Sequence, residues 1–342
     1  MSGGTTCFRV GTRGPISVRG AADVVLLVLA TVPIKAYGER MRTTTVAGLG
    51  LLIGLVTTSC GQEAAGPADG RLAVTAAFYP YEFLVHRVGG EDVAVTGLTT
   101  PGTEPHDLEL TPRQVAGLAA SDLVVLADGF QPALDDAVEQ QAEDRAFDVN
   151  AVGPLVDGYV PLEDGELDPQ EAGADPHVWL DPTRYAAIAT ALAERLGELR
   201  PERADAFADR AGQLGEELAA LDRELAAGLA DCERREIVTS HNAFGYLASR
   251  YDLQQIAVTG LTPDAEPTPG RLAEVQALAM ARGVTTIFFE DLVSPRTAQS
   301  LARDVGAQAV VLSPLEGPPE TGDYLTAMRG NLAVLRTALD CR

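Results

Sequence analysis

The chain has 342 residues and a formal net charge of −23. That length holds two domains with a core in each, and a hydrophobic content of 46% is that of an ordinary globular protein. The acidic balance excludes nucleic acid and anionic lipid headgroups as electrostatic partners and suits a surface that attracts cations.

The first sixty residues belong to another compositional class. They carry six basic and two acidic residues, which leaves 20 basic against 47 acidic in the rest. Met41-Arg42 opens a short basic segment, and residues 46–56 form an apolar run too short to span a bilayer as a stable helix. Thr57-Thr58-Ser59-Cys60-Gly61 then places a cysteine after small residues. This resembles the lipobox of bacterial lipoproteins, although Thr57 stands where a branched apolar residue is usual; the resemblance makes Cys60 the lipidated first residue of the mature protein. Residues 1–40, with a second apolar run over 24–34, fit no export signal and are expected to lie upstream of a true start at Met41.

Residues 61–70 are small and polar, a flexible tether. Beyond them strands and helices alternate. Strands are expected at 71–78, 92–98 and 122–127, and helices at 81–88, 111–120 and 130–142. Such alternation defines βαβ units and a parallel sheet. An irregular acidic loop follows over 157–175, with Glu163, Asp164, Glu166, Asp168, Glu171 and Asp175 and no histidine. A helix over 183–199 leads to a long Ala/Leu/Glu/Arg stretch, 202–229. There the apolar residues Phe207, Leu214, Leu218, Leu221, Leu225 and Leu229 recur at helical spacing. At 1.5 Å per residue that is about 40 Å, longer than a crossover helix needs. Alternation then resumes, with strands at 236–239, 254–258, 285–289 and 309–312 and helices at 243–251, 269–282, 295–305 and 323–339. The expected architecture is α/β: an N-terminal lobe over 71–200, a linking helix over 201–231, and a C-terminal lobe over 232–342.

Of four cysteines, Cys7 and Cys60 lie in or before the export signal. Cys232, ahead of a strand, and Cys341, at the end of the last helix, remain. Outside the cytoplasm such a pair is a disulfide candidate, with two free thiols as the alternative.

The chain contains only four histidines. Three occupy rigid contexts: Pro105-His106-Asp107, Pro176-His177-Val178-Trp179 and Ser240-His241-Asn242. Proline fixes its own backbone and restricts its neighbour, and a fixed loop is where a preorganised ligand belongs. Imidazole is the commonest metal ligand, and three of them suit zinc better than manganese, which takes more oxygen. His106 and His241 follow strands, where open α/β sheets collect ligands. His106 and His177 belong to the first lobe and His241 to the second, so a site built from all three lies in the cleft between lobes. His86 lacks a rigid flank and reads as a surface or packing residue.

These segments resemble the metal-binding solute-binding proteins of bacterial ABC importers, the zinc and manganese group. The resemblance covers residues 71–342. It rests on Gly102-Thr103-Glu104-Pro105-His106-Asp107, on Asp175-Pro176-His177-Val178-Trp179-Leu180-Asp181-Pro182, on His241-Asn242-Ala243-Phe244-Gly245-Tyr246, on Glu266-Pro267-Thr268-Pro269 and on Leu312-Ser313-Pro314-Leu315-Glu316. It implies two α/β lobes with parallel sheets joined by one long rigid helix, with the metal between them. It also implies His106, His177 and His241 as ligands, Zn2+ as the transported ion, and a membrane permease with a cytosolic ATPase as partners. Manganese members carry glutamate in place of the third histidine. The fourth ligand stays open at this point: Ser313 stands where the family often has aspartate, Glu316 is the choice, Glu290 the reserve, and water the third possibility. Asn242 replaces a common aspartate.

The chain is thus expected to be a monomer, exported and lipid-anchored to the outer face of the cytoplasmic membrane, and not an enzyme. Three other readings compete with it. A manganese- or iron-binding importer component would differ in metal preference. A three-histidine zinc hydrolase would need an open coordination position and a general base, a role Glu290 offers. An adhesin or zinc chaperone would lack a permease.

Overall fold

A computed structural model describes residues 70–153 and 175–342. The expected export signal, the start at Met41, Cys60, and the acidic loop up to Ala174 lie outside the described residues. The N-terminal lobe is built from β1 (Leu72–Ala76), α1 (Tyr79–Gly89), β2 (Val93–Gly97), α2 (Pro112–Ala120), β3 (Leu123–Leu126), α3 (Pro132–Gln141) and β4 (Ala146–Asp148). Its strands pair in parallel in the order β2-β1-β3-β4. The sequence pattern gives no element over 143–156, so β4 is a correction. Three half-buried residues on a sheet edge leave neither an apolar run nor an alternation to read.

Local chemistry explains where the helices start. Pro80, Pro112, Pro132, Pro182 and Pro269 all sit in first turns, where the missing amide hydrogen costs nothing. Thr111 and Gln114 form a reciprocal capping box on α2. Asp181 caps α4 (Pro182–Leu199) by accepting from the amides of Thr183 and Arg184.

A 3₁₀ turn, Pro201–Arg203, separates α4 from α5 (Ala204–Gly228). The 25 residues of α5 bury Phe207, Ala211, Leu214, Leu218, Leu221 and Leu225 on one stripe. That stripe packs against α1, α4 and α9 (Tyr324–Leu339). Ion pairs tie α5 to both lobes: Arg210 to Asp92 at 2.7 Å in the first, and Asp222 to Arg250 at 2.6 Å in the second.

The C-terminal lobe runs through β5 (Glu236–Thr239), α6 (Gly245–Arg250), β6 (Gln254–Ala257), α7 (Pro269–Ala281), β7 (Thr286–Phe289), α8 (Arg296–Val305), β8 (Gln308–Val311) and α9. Its parallel sheet has the order β6-β5-β7-β8, the same as in the first lobe. Cys232 and Cys341 are joined by a disulfide that closes the end of α9 onto the chain entering β5. The cores do not divide as the lobes do. One runs from β1 and β3 through α4 and α5 into Phe244, Tyr246, Leu312, Leu315 and Tyr324 of the second lobe. A smaller one (Val238, Ile256, Val275, Ile287, Leu301) fills the rest of that lobe. The cleft is therefore floored by continuous packing.

Candidate metal centre

Each histidine is fixed by its own loop. His106 follows β2, in a loop whose Pro105 carbonyl accepts from the buried Gln131 Nε2 at 2.8 Å. The His106 amide donates to Glu104 Oε1 at 2.8 Å, and its ring lies 4.0 Å from that of Phe130. His177 repeats the arrangement. Its amide donates to Asp175 Oδ1 at 2.9 Å, and its Nδ1 lies 2.7 Å from the same oxygen. Both histidines thus stand at the end of an acid-proline-histidine turn. The sequence displays the repeat, but there Asp175 closes the acidic loop and opens the 175–182 motif with no role of its own. His241 leaves β5, and its carbonyl accepts from Thr239 Oγ1 at 2.7 Å and Gln255 Nε2 at 3.1 Å. Its Nδ1 lies 2.7 Å from Glu290 Oε1. Glu290 follows β7, the sheet neighbour of β5, and also accepts from Ser240 Oγ.

The three Nε2 atoms turn toward one carboxylate. Glu316 Oε1 lies 3.5 Å from His106 Nε2, 3.3 Å from His177 Nε2 and 3.5 Å from His241 Nε2. The His177 and His241 Nε2 atoms are 3.4 Å apart. All four donor atoms lie within 4.8 Å of one another. The cage is closed off from solvent: His177 and His241 are fully buried and Glu316 is 2% exposed. Glu290, the reserve, faces the Nδ1 side of His241 and is not among the four. His86 is exposed on α1, away from the group.

The donor set fits a small cation. Charge-assisted hydrogen bonds are about 2.7–2.9 Å long, so contacts of 3.3–3.5 Å are too long for direct pairing. Four ligands on a tetrahedron with zinc bond lengths of about 2.0–2.1 Å stand about 3.3–3.4 Å apart, and the three Glu316 contacts and the His177–His241 pair lie at or within about 0.2 Å of that spacing. Glu316 Oε1 and His106 Nε2 are buried without a hydrogen-bond partner, a cost of about 1–3 kcal/mol each that a shared cation removes.

Electrostatics distinguish the four groups. Burial pulls the His106 imidazole below its ordinary pKa. Burial also opposes charge on His177 and His241, but the Asp175 and Glu290 carboxylates outweigh it and raise both. Burial pushes the Glu316 carboxyl up, yet the three imidazoles hold it well below the usual carboxylate range. Glu104 is pushed up to about 8 by its burial and by the Glu316 charge.

The loop carrying Glu316 was the least legible part. Leu315 is buried with φ +62°, in the left-handed region, which costs a side-chain-bearing residue about 1–2 kcal/mol. Ser313 does not join the donors; its hydroxyl donates to Asp291 Oδ1 at 3.2 Å. Asn242 donates its backbone N–H to Gly260 O at 2.9 Å. Phe130, Trp179 and Asn331 surround the cage or its loops, and sequence reasoning assigned none of them a role. Their signal is only tertiary.

Two α/β lobes stand on one long helix, with a buried cation-sized cage between them. The chain belongs to the family of the zinc-uptake complex component A, periplasmic (ZnuA), which matches residues 74–338. The zinc-binding protein AdcA of Streptococcus pyogenes serotype M6 (strain ATCC BAA-946 / MGAS10394) is 34% identical over 294 residues, 80% of this chain and 57% of that protein. The high-affinity zinc uptake system protein ZnuA of Bacillus subtilis (strain 168) is 31% identical over 307 residues, 83% of this chain and 94% of that one. Among solved structures, the laminin binding protein (Lmb) of Streptococcus agalactiae, titled a bifunctional protein with adhesin and metal transporting activity, aligns with a TM-score of 0.70. It is 30% identical and covers 78% of this chain and 99% of that one. The chain spans a little over half the length of the AdcA relative and nearly all of the other two.

Proposed function

We propose that this protein is the extracytoplasmic zinc-binding component of a metal ABC import system. It captures Zn2+ with His106, His177, His241 and Glu316 and delivers the ion to a membrane permease powered by a cytosolic ATPase. The observation that carries this reading is the spacing of the four buried donor atoms, with three imidazoles converging on one carboxylate oxygen. Nitrogen-rich donors select zinc over manganese. With Glu316 on the fourth corner no open position remains for a substrate, which supports binding rather than catalysis. The family and the zinc-named relatives support the same reading.

In this reading residues 71–200 and 232–342 act as the two lobes and residues 201–231 as the rigid link. Cys60 anchors the exported chain to the outer face of the cytoplasmic membrane through residues 61–70, and the protein works as a monomer. The test is metal content after chelator stripping and reloading from mixed zinc and manganese. One zinc per chain, retained against excess manganese and lost in His177→Ala, is the expected result. Preferential retention of manganese, or no bound metal, would overturn it.

A further inference from the structure

Asn331 lies on α9, fifteen residues beyond Glu316, and is only 6% exposed. Asparagine is a poor helix former, and a buried amide must find partners. Both halves of this one go to the backbone of a single residue. Oδ1 accepts from the Ser313 amide at 3.2 Å, and Nδ2 donates to the Ser313 carbonyl at 2.6 Å. The next carbonyl, Pro314 O, accepts from Trp179 Nε1 at 2.7 Å, across from the other lobe. The Leu315 amide then donates back to Ser313 Oγ at 3.2 Å, and Leu315 takes its left-handed φ of +62° immediately before Glu316.

We infer that Asn331, assisted by Trp179, is the positioning residue for the Glu316 ligand: the two-point clamp on Ser313 and the latch on Pro314 hold the loop so that Leu315 keeps its left-handed bend and Glu316 faces the three imidazoles. A non-glycine residue stays in that region only where its surroundings over-determine it. With the clamp gone, Leu315 relaxes to negative φ, and the side chain after it turns away from the histidines. Trp179 stands two residues after His177, so one rigid turn holds both a histidine and the carboxylate loop. The inference rests on the zinc reading above and names what sets the geometry of its fourth donor.

The test compares the purified protein with Asn331→Leu, Glu316→Gln and the double variant. Zinc affinity is measured by chelator competition, and the visible spectrum of bound Co2+ reports coordination geometry. Expected for Asn331→Leu are a loss of zinc affinity of about tenfold or more and a cobalt spectrum shifted to that of Glu316→Gln. The double variant should bind no more weakly than Glu316→Gln alone, because both changes remove one interaction. Wild-type affinity and spectrum in Asn331→Leu, or losses that add in the double variant, would overturn the inference while leaving the zinc reading intact. No zinc on the unaltered protein would overturn both. If Asn331→Leu does not fold, Asn331→Asp replaces it, since it keeps the shape and the acceptor but loses the donated hydrogen bond.

Discussion

The Nδ1 atom of His177 lies 2.7 Å from Asp175 Oδ1, and that same oxygen accepts the backbone amide of His177. One buried carboxylate thereby fixes the ring's tautomer and the turn that carries it, leaving Nε2 for the cage. Such partners of metal-ligating histidines are worth about 10–100-fold in metal affinity. Asp175→Ala is expected to weaken zinc binding by that order, read by competition with a chelating dye. Unchanged affinity would mean that the proline turn alone orients His177.

Zinc affinity should rise steeply with pH, and over a higher interval than ordinary histidines would give. His177 and His241 are raised above the usual value of about 6.5. Each must lose its proton to bind, so acid competes with metal, and the competition extends above pH 6.5. In the zinc-free protein the sign reverses. The paired imidazolium groups contribute stability that is fully present below about pH 6.5 and lost as pH rises through the raised values. Affinity titrations between pH 5.5 and 8.5 check the first statement; a flat profile would contradict the site.

Gly245 opens α6 directly beside Asp175. A Cβ there would fall 2.4 Å from Asp175 Oδ2. Gly245→Ala is therefore expected to cost about 1–3 kcal/mol by overpacking and to weaken zinc binding through the displaced carboxylate. Gly117, on exposed α2, has nothing within 4 Å of the equivalent position. Gly117→Ala should instead stabilise by about 0.5–1 kcal/mol. Thermal melts and zinc titrations of the two variants make the comparison, and equal effects would count against it.

The Cys232–Cys341 disulfide closes a loop with a sequence separation of 109. Disulfides typically stabilise by about 2–4 kcal/mol, and the loss of chain entropy in the unfolded state puts a loop of about 100 residues at the upper end, about 4.7 kcal/mol. Glu316 lies before the first turn of α9 and Cys341 beyond its last, about 24 Å of helix away. Cys341→Ser is thus expected to lower the denaturant midpoint and leave zinc affinity unchanged. An affinity loss would show that α9 transmits strain to the Glu316 loop.

Much of the scaffold was legible because its signals are local. The stripe of Phe207, Leu214, Leu218, Leu221 and Leu225 announces a long one-faced helix, and α5 buries those residues. The apolar run at Leu123–Leu126 announces a strand buried on both faces, as β3 is. β4 gave no such signal, since an edge strand of three half-buried residues satisfies its backbone by pairing with β3 alone. The division of the core was also hidden, because Phe244, Tyr246 and Tyr324 read as ordinary residues of the second lobe but pack into the first core.

By itself the sequence determined the alternation of elements, the long helix and the three histidines in rigid turns, all of which depend on backbone and side-chain chemistry within a few residues. Only the tertiary structure decided which carboxylate meets them. Glu290 and Glu316 both follow strands of the second lobe and both are buried, so chain position cannot separate them. The adjacency of β5 and β7 puts Glu290 on the Nδ1 side of His241. A left-handed bend at Leu315, in a loop tied to Asn331 and Trp179, turns Glu316 to the Nε2 side of all three rings. The direction of a side chain at the end of a loop is set by the sign of one dihedral angle and by partners far along the chain, and no local pattern encodes either.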